Sequence, residues 1–582
     1  MKVFLRRSAA TIQLLLTCAV TALVTGISSG EVHMPEARIA ADCGCGEHHE
    51  VGTDGVPPPF RKCGFTSFTV KRMQDILAGG QQVQMRRNTQ FTVPSPSGRF
   101  LIHYDVGGTD GVADVDENNN NVPDFVDSVA FYFDHAWRVE IDEIGFGAPP
   151  SDGNNGGSSA YDIYIEDLGP RGIYGLTVPE NSAGSGGRFG RFTTFIIIDN
   201  NFSPLDVTGE GILQRQSYFE KDIRALRVTA AHEFHHAIQL GAYGSVQSEC
   251  SIHEFSSTWA EFRLHPDVYD LEQFIPNLFR NLDRYNFGNN DCDVGYHYGV
   301  FAQMLQARLG DAAMLNTWDA VKNSNNGYDA LDEGLRTLNS SLADEYCAFS
   351  DWLYHTGYRD RGEELQRAGV YPLVTFHTVE RFSEPSINLS GGLKPFEQRF
   401  IRLLFPQSEA ETPDTVDLAL VNIDLLNAGE SEEATVGYSV VCTSSPREGA
   451  EPIGETGYYL SVSSDRNNLF CYSKYLNTGV LTNVPPSAFP NPFIVERDER
   501  LFFPLEPNID VEVQNAVLTI YDAAMAIVYS DQTPLAVEND LRVVAWDGRT
   551  TLGDQLSSGV YIYTLEYKDG SSIGKFLVKR SE

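Results

Sequence analysis

The chain has 582 residues, too many for one hydrophobic core, and three or four folded units are expected. It carries 43 basic and 79 acidic residues, a formal net charge of −36, which argues against nucleic acid or an anionic membrane as partner. A hydrophobic content of 42% is ordinary for a globular chain and excludes a disordered one.

Residues 1–30 read as a secretory signal peptide, with Lys2, Arg6 and Arg7 at the basic end and an apolar run from Ala9 to Val24. Leu16-Thr17-Cys18 follows a lipoprotein cleavage pattern only faintly. No later run is long and apolar enough to span a bilayer, so no transmembrane segment is expected in the mature chain. Export permits disulfides. Without Cys18 eight cysteines remain: 43, 45, 63, 250, 292, 347, 442 and 471. Cys442 and Cys471 fall in one β-rich stretch and are the pair most readily expected. Cys250 with Cys292 would bracket the motif described below, although spacing alone does not fix connectivity.

Residues 31–96 are irregular and polar and read as an N-terminal extension or propeptide. Cys43-Gly44-Cys45 with His48 and His49 fits no common zinc module and reads as a disulfide-tethered leader. The texture changes from Ser95, and Arg99 to Tyr104 alternates as a strand. Next comes a loop in which Asp116, Asn118, Asn120, Asp124 and Asp127 place side-chain oxygens at positions 1, 3, 5, 9 and 12 of a calcium-loop spacing. The Val122 carbonyl would stand at position 7. Asn121 replaces the usual glycine at position 6 and tolerates the left-handed backbone needed there. The competing reading is a polar turn with no ion. A helix over 126–144 follows, with Val129, Phe133, Trp137 and Ile141 on one face.

Tyr161 to Ile165 alternates as a strand, and Phe192 to Ile198 reads as a buried strand. The latter precedes the motif helix and could bind an extended peptide by edge pairing. Then comes His232-Glu233-Phe234-His235-His236 in a helix expected over 219–240, with Gly241 as its stop. Four-residue spacing stacks His232 and His236 on one helical face, where two imidazoles can bind one Zn²⁺. Glu233 then serves as general base toward water. His235 sits on an adjacent face. A zinc site needs a third protein ligand, for which Glu249, His253, Glu254 and Glu261 are the downstream candidates. An oxyanion donor is sought in Gly295-Tyr296-His297-Tyr298-Gly299, with Tyr298 first and Tyr296 or His297 as alternatives. Equally, Tyr298 could simply open a helix and pack.

Further helices are expected over 254–261, 298–309 and 343–355, an α+β arrangement. Residues 373–484 alternate as a β-sandwich. Pro485-Pro486 marks a linker, and residues 485–582 read as a small Ig-like unit of about seven short strands.

Two resemblances rest on these residues. The His232–His236 helix followed by Glu254-x4-Trp259-x-Glu261, with Arg99–Tyr104, Val122-Pro123-Asp124 and Tyr161–Tyr164, resembles the gluzincin zinc metallopeptidases. The likeness is strongest to a set of uncharacterised secreted bacterial members and runs from about Ser95 to Arg361. It implies a zincin-like α+β metallopeptidase domain over 97–372. Within it, Glu254 is implied as third zinc ligand, Glu261 as an imidazole's hydrogen-bond partner, and a protein or peptide as substrate. The second resemblance covers Phe489 to the end. Pro490-Asn491-Pro492-Phe493, Trp546-Asp547-Gly548-Arg549 and Ser558-Gly559-Val560-Tyr561 resemble the sorting domains of type IX secretion cargo and the Ig-like domain of flagellar hook-capping proteins. It implies outer-membrane secretion machinery as partner and a secreted or surface location. The expectation is a secreted zinc endopeptidase. The alternative is a catalytically inactive, surface-displayed binding or adhesive protein on the same scaffold.

Overall fold

The structure is a computed structural model. It describes residues 62–580 with interruptions, the longer ones being 80–85, 214–218, 406–412, 430–434, 479–487 and 506–514. The expected signal peptide, Cys43-Gly44-Cys45, Glu249 and Pro485-Pro486 lie outside the described residues.

The first unit is built on a five-stranded mixed sheet. Its strands are β1 (Phe91–Pro94), β2 (Phe100–Tyr104), β3 (Tyr161–Glu166), β4 (Gly175–Gly184) and β5 (Arg191–Asp199), in spatial order β1-β2-β3-β5-β4. β1 belongs to this sheet although it falls within the stretch read as an N-terminal extension; it pairs antiparallel with β2. The β-branched run of β5 is buried on both faces, as a strand between two neighbours and two layers must be. Ile196 and Ile198 join the main core, while Phe195 and Ile197 pack with Tyr164, Leu168, Leu176 and Val178. The expectation that this strand offers a free edge is therefore corrected: β5 lies between β3 and β4, and the edge belongs to β4.

Helix α1 (Ser67–Leu77) packs near β4. Helix α2 (Asp124–Trp137) buries Val126, Val129, Ala130 and Phe133, and wider turns carry it to Ile144. Helix α3 (Asp222–Ile238) carries the histidine motif and is buried on nearly all sides. Ala225, Ala230, Ala231 and Ala237 give it small flanks, so β4, β5, α2 and helix α4 (Cys250–Leu264) can all approach closely. Gly241 does not stop it. The helical turns run to Tyr243 and end at Gly244, whose φ of 109° takes the left-handed region. Gly241 is glycine for another reason: a Cβ there would stand 2.7 Å from Pro150 Cδ.

Beyond α4, the short helix Cys292–His297 crosses it at Gly295, where a Cβ would fall 2.5 Å from Glu254 Cβ. The Cys250–Cys292 disulfide fixes this crossing, the bracket expected from sequence. Helices Gly299–Leu309, Ala312–Val321, Gly327–Arg336 and Leu342–Tyr354 complete the layer.

Residues 378–478 form two four-stranded sheets. Strict alternation divides their side chains between two cores. Ile401, Leu418 and Leu420 face the second sheet, while Phe400, Ala419 and Val421 face the helices and belong to the main core. This alternation decides the cysteine pairing. Cys442 points into the inter-sheet core and is free, whereas Cys471 lies on the other sheet and is bonded to Cys347 of helix Leu342–Tyr354. The expected Cys442–Cys471 pair is thus corrected. The last unit is a seven-stranded sheet with its own core around Phe503, Trp546, Tyr563 and Phe576.

Candidate metal centre

The spacing of His232 and His236 on α3 brings their Nε2 atoms to 3.1 Å. Each ring is oriented by its other nitrogen. His232 Nδ1 donates to Glu261 Oε1 at 2.6 Å, and His236 Nδ1 donates to Gln239 Oε1 at 2.8 Å. Both Nε2 lone pairs therefore face the same point, the arrangement a metal-binding imidazole requires. Glu254, one turn into α4, puts Oε2 3.0 Å from His232 Nε2 and 3.5 Å from His236 Nε2. Ligands held tetrahedrally about 2.1 Å from one ion stand about 3.4 Å apart, close to these separations. Glu254 is fully buried, yet neither carboxylate oxygen makes a well-formed hydrogen bond. A buried carboxylate without donors is costly unless a cation meets it. The residues present thus fit a metal ion.

The electrostatics point the same way. Burial works against protonating His232, but Glu254 and Glu261 outweigh it and lift the imidazole to about 10; a cation bound at Nε2 would take the place of that proton and leave the lone pair to the metal. Burial would raise Glu254, but the charge of His236 and its contacts with both imidazoles hold it down at about 2. The cluster attracts positive charge to the point where the three groups meet.

Glu233 lies beside the cluster, against β4. Thr177 Oγ1 donates to its Oε2 at 2.7 Å, and its buried Oε1 has no hydrogen bond. Gly175 makes this approach possible, since a Cβ there would stand 2.7 Å from Glu233 Cγ. Glu261 takes the place expected of it at His232. His253 is not a ligand in this arrangement: its Nδ1 is 2.8 Å from Gln239 Oε1. His235 is fully buried and bonded to Glu140 Oε2 at 2.6 Å.

The expectation for Tyr298 is corrected. Its hydroxyl is 3.0 Å from that of Tyr346, within an aromatic core that includes Phe287 and Phe349. The packing alternative therefore describes it. Tyr296, two residues earlier, is the tyrosine at the centre. Its ring stacks on His232 at 5.9 Å, and burial, followed by the charge of Glu254, pushes its hydroxyl well above the usual tyrosine range. A helical offset of two residues turns a side chain by about 200°, so the two tyrosines face opposite ways.

The fourth member of the cluster is Cys63. Its sulfur lies with the His232, His236 and Glu254 donor atoms within 4.8 Å of one another. Lys62 forms ion pairs with Glu261 and Asp270, and Phe65 stacks on His236 at 4.7 Å and His253 at 5.0 Å. Sequence reasoning gave these three residues no role. Their only signal was a cysteine, in Arg61-Lys62-Cys63-Gly64, that no partner claims.

The acidic loop closes on itself. Asp116 accepts the Asn120 and Asn121 amides at 3.1 and 2.9 Å, and Asp127 Oδ2 accepts the side-chain amides of Asn118 and Asn120, both at 2.8 Å. Asn121 has the left-handed φ expected, 68°. Asp124 turns to the Glu117 amide at 3.1 Å instead of joining the others, and Val122 donates its own amide to Asn120 Oδ1 at 2.7 Å.

No family model matches the chain, and no curated protein matches it. Among solved structures it is similar to PorZ, an essential bacterial surface component of the type-IX secretion system of Porphyromonas gingivalis. The identity is 22%, over 18% of this chain and 14% of that one, with a TM-score of 0.13. It is also similar to dimeric latent PorU from Porphyromonas gingivalis, 14% identical over 34% of this chain and 20% of that one, with a TM-score of 0.14. The chain thus spans a fifth or less of either structure, and overlaps of this size do not place it in a family.

Zinc titration of single variants checks the assignment of Glu254 and Glu261. Glu254→Ala is expected to abolish zinc retention, and Glu261→Ala to weaken it by about 10- to 100-fold, as loss of an imidazole's orienting partner does. An empty site in Glu261→Ala with a filled one in Glu254→Ala would reverse the two roles.

Proposed function

We propose that the chain is a secreted zinc-dependent endopeptidase. The observation that carries this reading is the convergence of His232, His236 and Glu254 with Glu233 beside them, next to an edge strand. Two imidazoles and a carboxylate form a donor set that zinc takes at hydrolytic sites. Zinc bound there supplies Lewis acidity, lowering the pKa of water and polarising the scissile carbonyl. Glu233, anchored through Oε2 by Thr177, takes the proton from water and passes it to the leaving amine. Tyr296, whose ring stacks on His232, takes the role of donor to the developing oxyanion in this reading. The edge of β4 offers backbone groups to an extended peptide.

In the active form of the chain, Glu233→Gln is expected to keep zinc and fold while abolishing hydrolysis of an unfolded protein, as a chelator does to the parent. Tyr296→Phe is expected to lower kcat by about 10²- to 10³-fold, the usual cost of one oxyanion donor. Hydrolysis by zinc-loaded Glu233→Gln would remove the general-base role.

The reading extends to calcium at the Asp116–Asp127 loop. The side chains of Asn118 and Asn120 converge on Asp127, Asp116 holds the backbone of Asn120 and Asn121 beside them, and reorienting the two amides would turn oxygens toward a cation. Binding to the folded chain alone would raise the melting temperature with added calcium. A melting curve insensitive to calcium in the parent, and equally so in Asp116→Ala with Asp127→Ala, would remove this part.

The third part is export or surface attachment through residues from about 488, working with outer-membrane secretion machinery. Its support is the separate core of that unit, which meets the rest through a small cluster around Leu373, Val543, Phe489 and Phe502. No helix among the described residues is long and apolar enough to cross a membrane. Deleting 488–582 is expected to leave purified activity intact and to change where the protein accumulates in its host. Loss of activity in a well-folded truncation would contradict it.

A further inference from the structure

We propose that Cys63 is a fourth ligand to the metal and that the segment from Lys62 through helix α1 thereby holds the chain latent. The proposal rests on the endopeptidase reading and adds a regulatory element to it.

Four observations carry it. First, the Cys63 sulfur shares one small volume with the two imidazoles and Glu254, and all four are buried. Contrast Cys442, the other free cysteine among the described residues, which sits among Ile387, Val440 and Leu460 as a small core hydrophobe. Second, buried carboxylate oxygens aim into this volume with no well-aligned hydrogen bond: both oxygens of Glu254, whose near neighbours are the two imidazoles, and Oε1 of Glu233. A thiol set among them makes sense chemically if a cation joins them. Third, the Phe65 amide donates to Cys63 Sγ at 3.2 Å, which fixes where the sulfur stands beside the two imidazoles.

Fourth, the segment lies along the surface a substrate would need. The Gly64 amide donates to the Gly175 carbonyl at 2.9 Å, and the Tyr174 amide to the Lys62 carbonyl at 2.8 Å. Cys63 thus pairs in parallel with Gly175 at the start of β4. Gly64 has no room for a side chain, since a Cβ would meet Leu176 Cδ1 at 2.6 Å. Arg72 of α1 adds a bond from Nε to the Pro179 carbonyl at 2.6 Å. The segment therefore takes the backbone groups of the edge and presents sulfur, not a scissile carbonyl, to the centre.

The switch involves no redox step and no covalent bond within the chain. As the sulfur meets the cation, the S–H bond breaks and its proton leaves to solvent. When the segment withdraws, the metal–sulfur bond breaks, the thiolate takes a proton back, and the vacated position opens to water and substrate.

X-ray absorption at the zinc edge of the full-length chain tests this directly. The expected spectrum has one sulfur scatterer at about 2.3 Å with nitrogen and oxygen scatterers at about 2.0–2.2 Å. In Cys63→Ser the sulfur shell is expected to vanish while zinc remains. Cys63→Ser is also expected to cleave an unfolded protein at least about 10-fold faster than the intact parent, because the fourth position of the metal is then open to water. Zinc present with only nitrogen and oxygen scatterers in the parent would overturn the proposal and leave the endopeptidase reading standing. A full-length chain that retains no zinc would overturn both. The parent spectrum decides even if the variant fails to fold.

Discussion

The first unit is organised by one electrostatic problem: Glu233, Glu254, Glu261 and Asp270 are all buried where α3, α4 and β4 meet. Each buried carboxylate costs several kcal/mol unless donors or cations meet it. The chain answers with specific partners. Thr177 meets Glu233, His232 meets Glu254 and Glu261, and Lys62 meets Glu261 and Asp270. Even so, burial still lifts Asp270 to about 6 despite Lys62. The close packing that creates the problem depends on missing side chains. Gly175 lets β4 reach Glu233, and Gly295 lets the Cys292–His297 helix reach Glu254.

How much of this was legible in the sequence follows from the range of each signal. The motif helix, the acidic loop and the alternating strands are local patterns, and the structure forms a helix at the first, a turn running into α2 at the second and strands at the third. The two histidines could be paired because helical geometry fixes their offset, whereas Glu254 and Glu261 were singled out by the resemblance of Glu254-x4-Trp259-x-Glu261. Tyr298 was put before Tyr296, but a two-residue offset decides which tyrosine faces the centre, and Tyr298 stands at the junction of the helices Cys292–His297 and Gly299–Leu309 where one helix from 298 was expected. Cys63 carried no local signal at all. It reaches the centre from about 170 residues upstream of His232, through pairing with β4 that no periodicity announces. Edge pairing was expected of β5, a buried apolar run, because it precedes the motif helix. A strand that apolar is more naturally an interior strand, as β5 proves to be.

The cysteines teach the same lesson in another part of the chain. Cys442 and Cys471 share a β-rich stretch, yet they sit on different sheets and look into different cores. Cys471 instead joins Cys347, so the disulfide ties the sandwich to the helical layer. That tie accompanies a continuous interface: Tyr354 donates to Asp417 at 2.7 Å, and Arg402 holds the same carboxylate with two bonds of 2.7 Å. A buried acid bridging a strand and a helix is a poor place for a domain hinge. The sandwich is better regarded as part of the scaffold behind the helices than as an appended module.

On the proposed reading, the N-terminal segment and the metal depend on each other through shared groups. Lys62 neutralises Glu261, and Glu261 orients His232, so the docked segment reaches a ligand imidazole through two hydrogen-bonded steps. Phe65 covers the ring of His236 from another side. A metal that binds sulfur stabilises the docked segment, and by linkage the docked segment tightens the metal by the same free energy. Release of the segment would therefore loosen the ion it uncovers, were the site held by the segment alone. Glu254 and the two histidines, fixed by α3, α4 and the Cys250–Cys292 crossing, are what would keep the ion in place once sulfur has left. Holding those three ligands on a rigid frame, and the fourth on a segment that bridges the start of β4, separates retention of the metal from access to it.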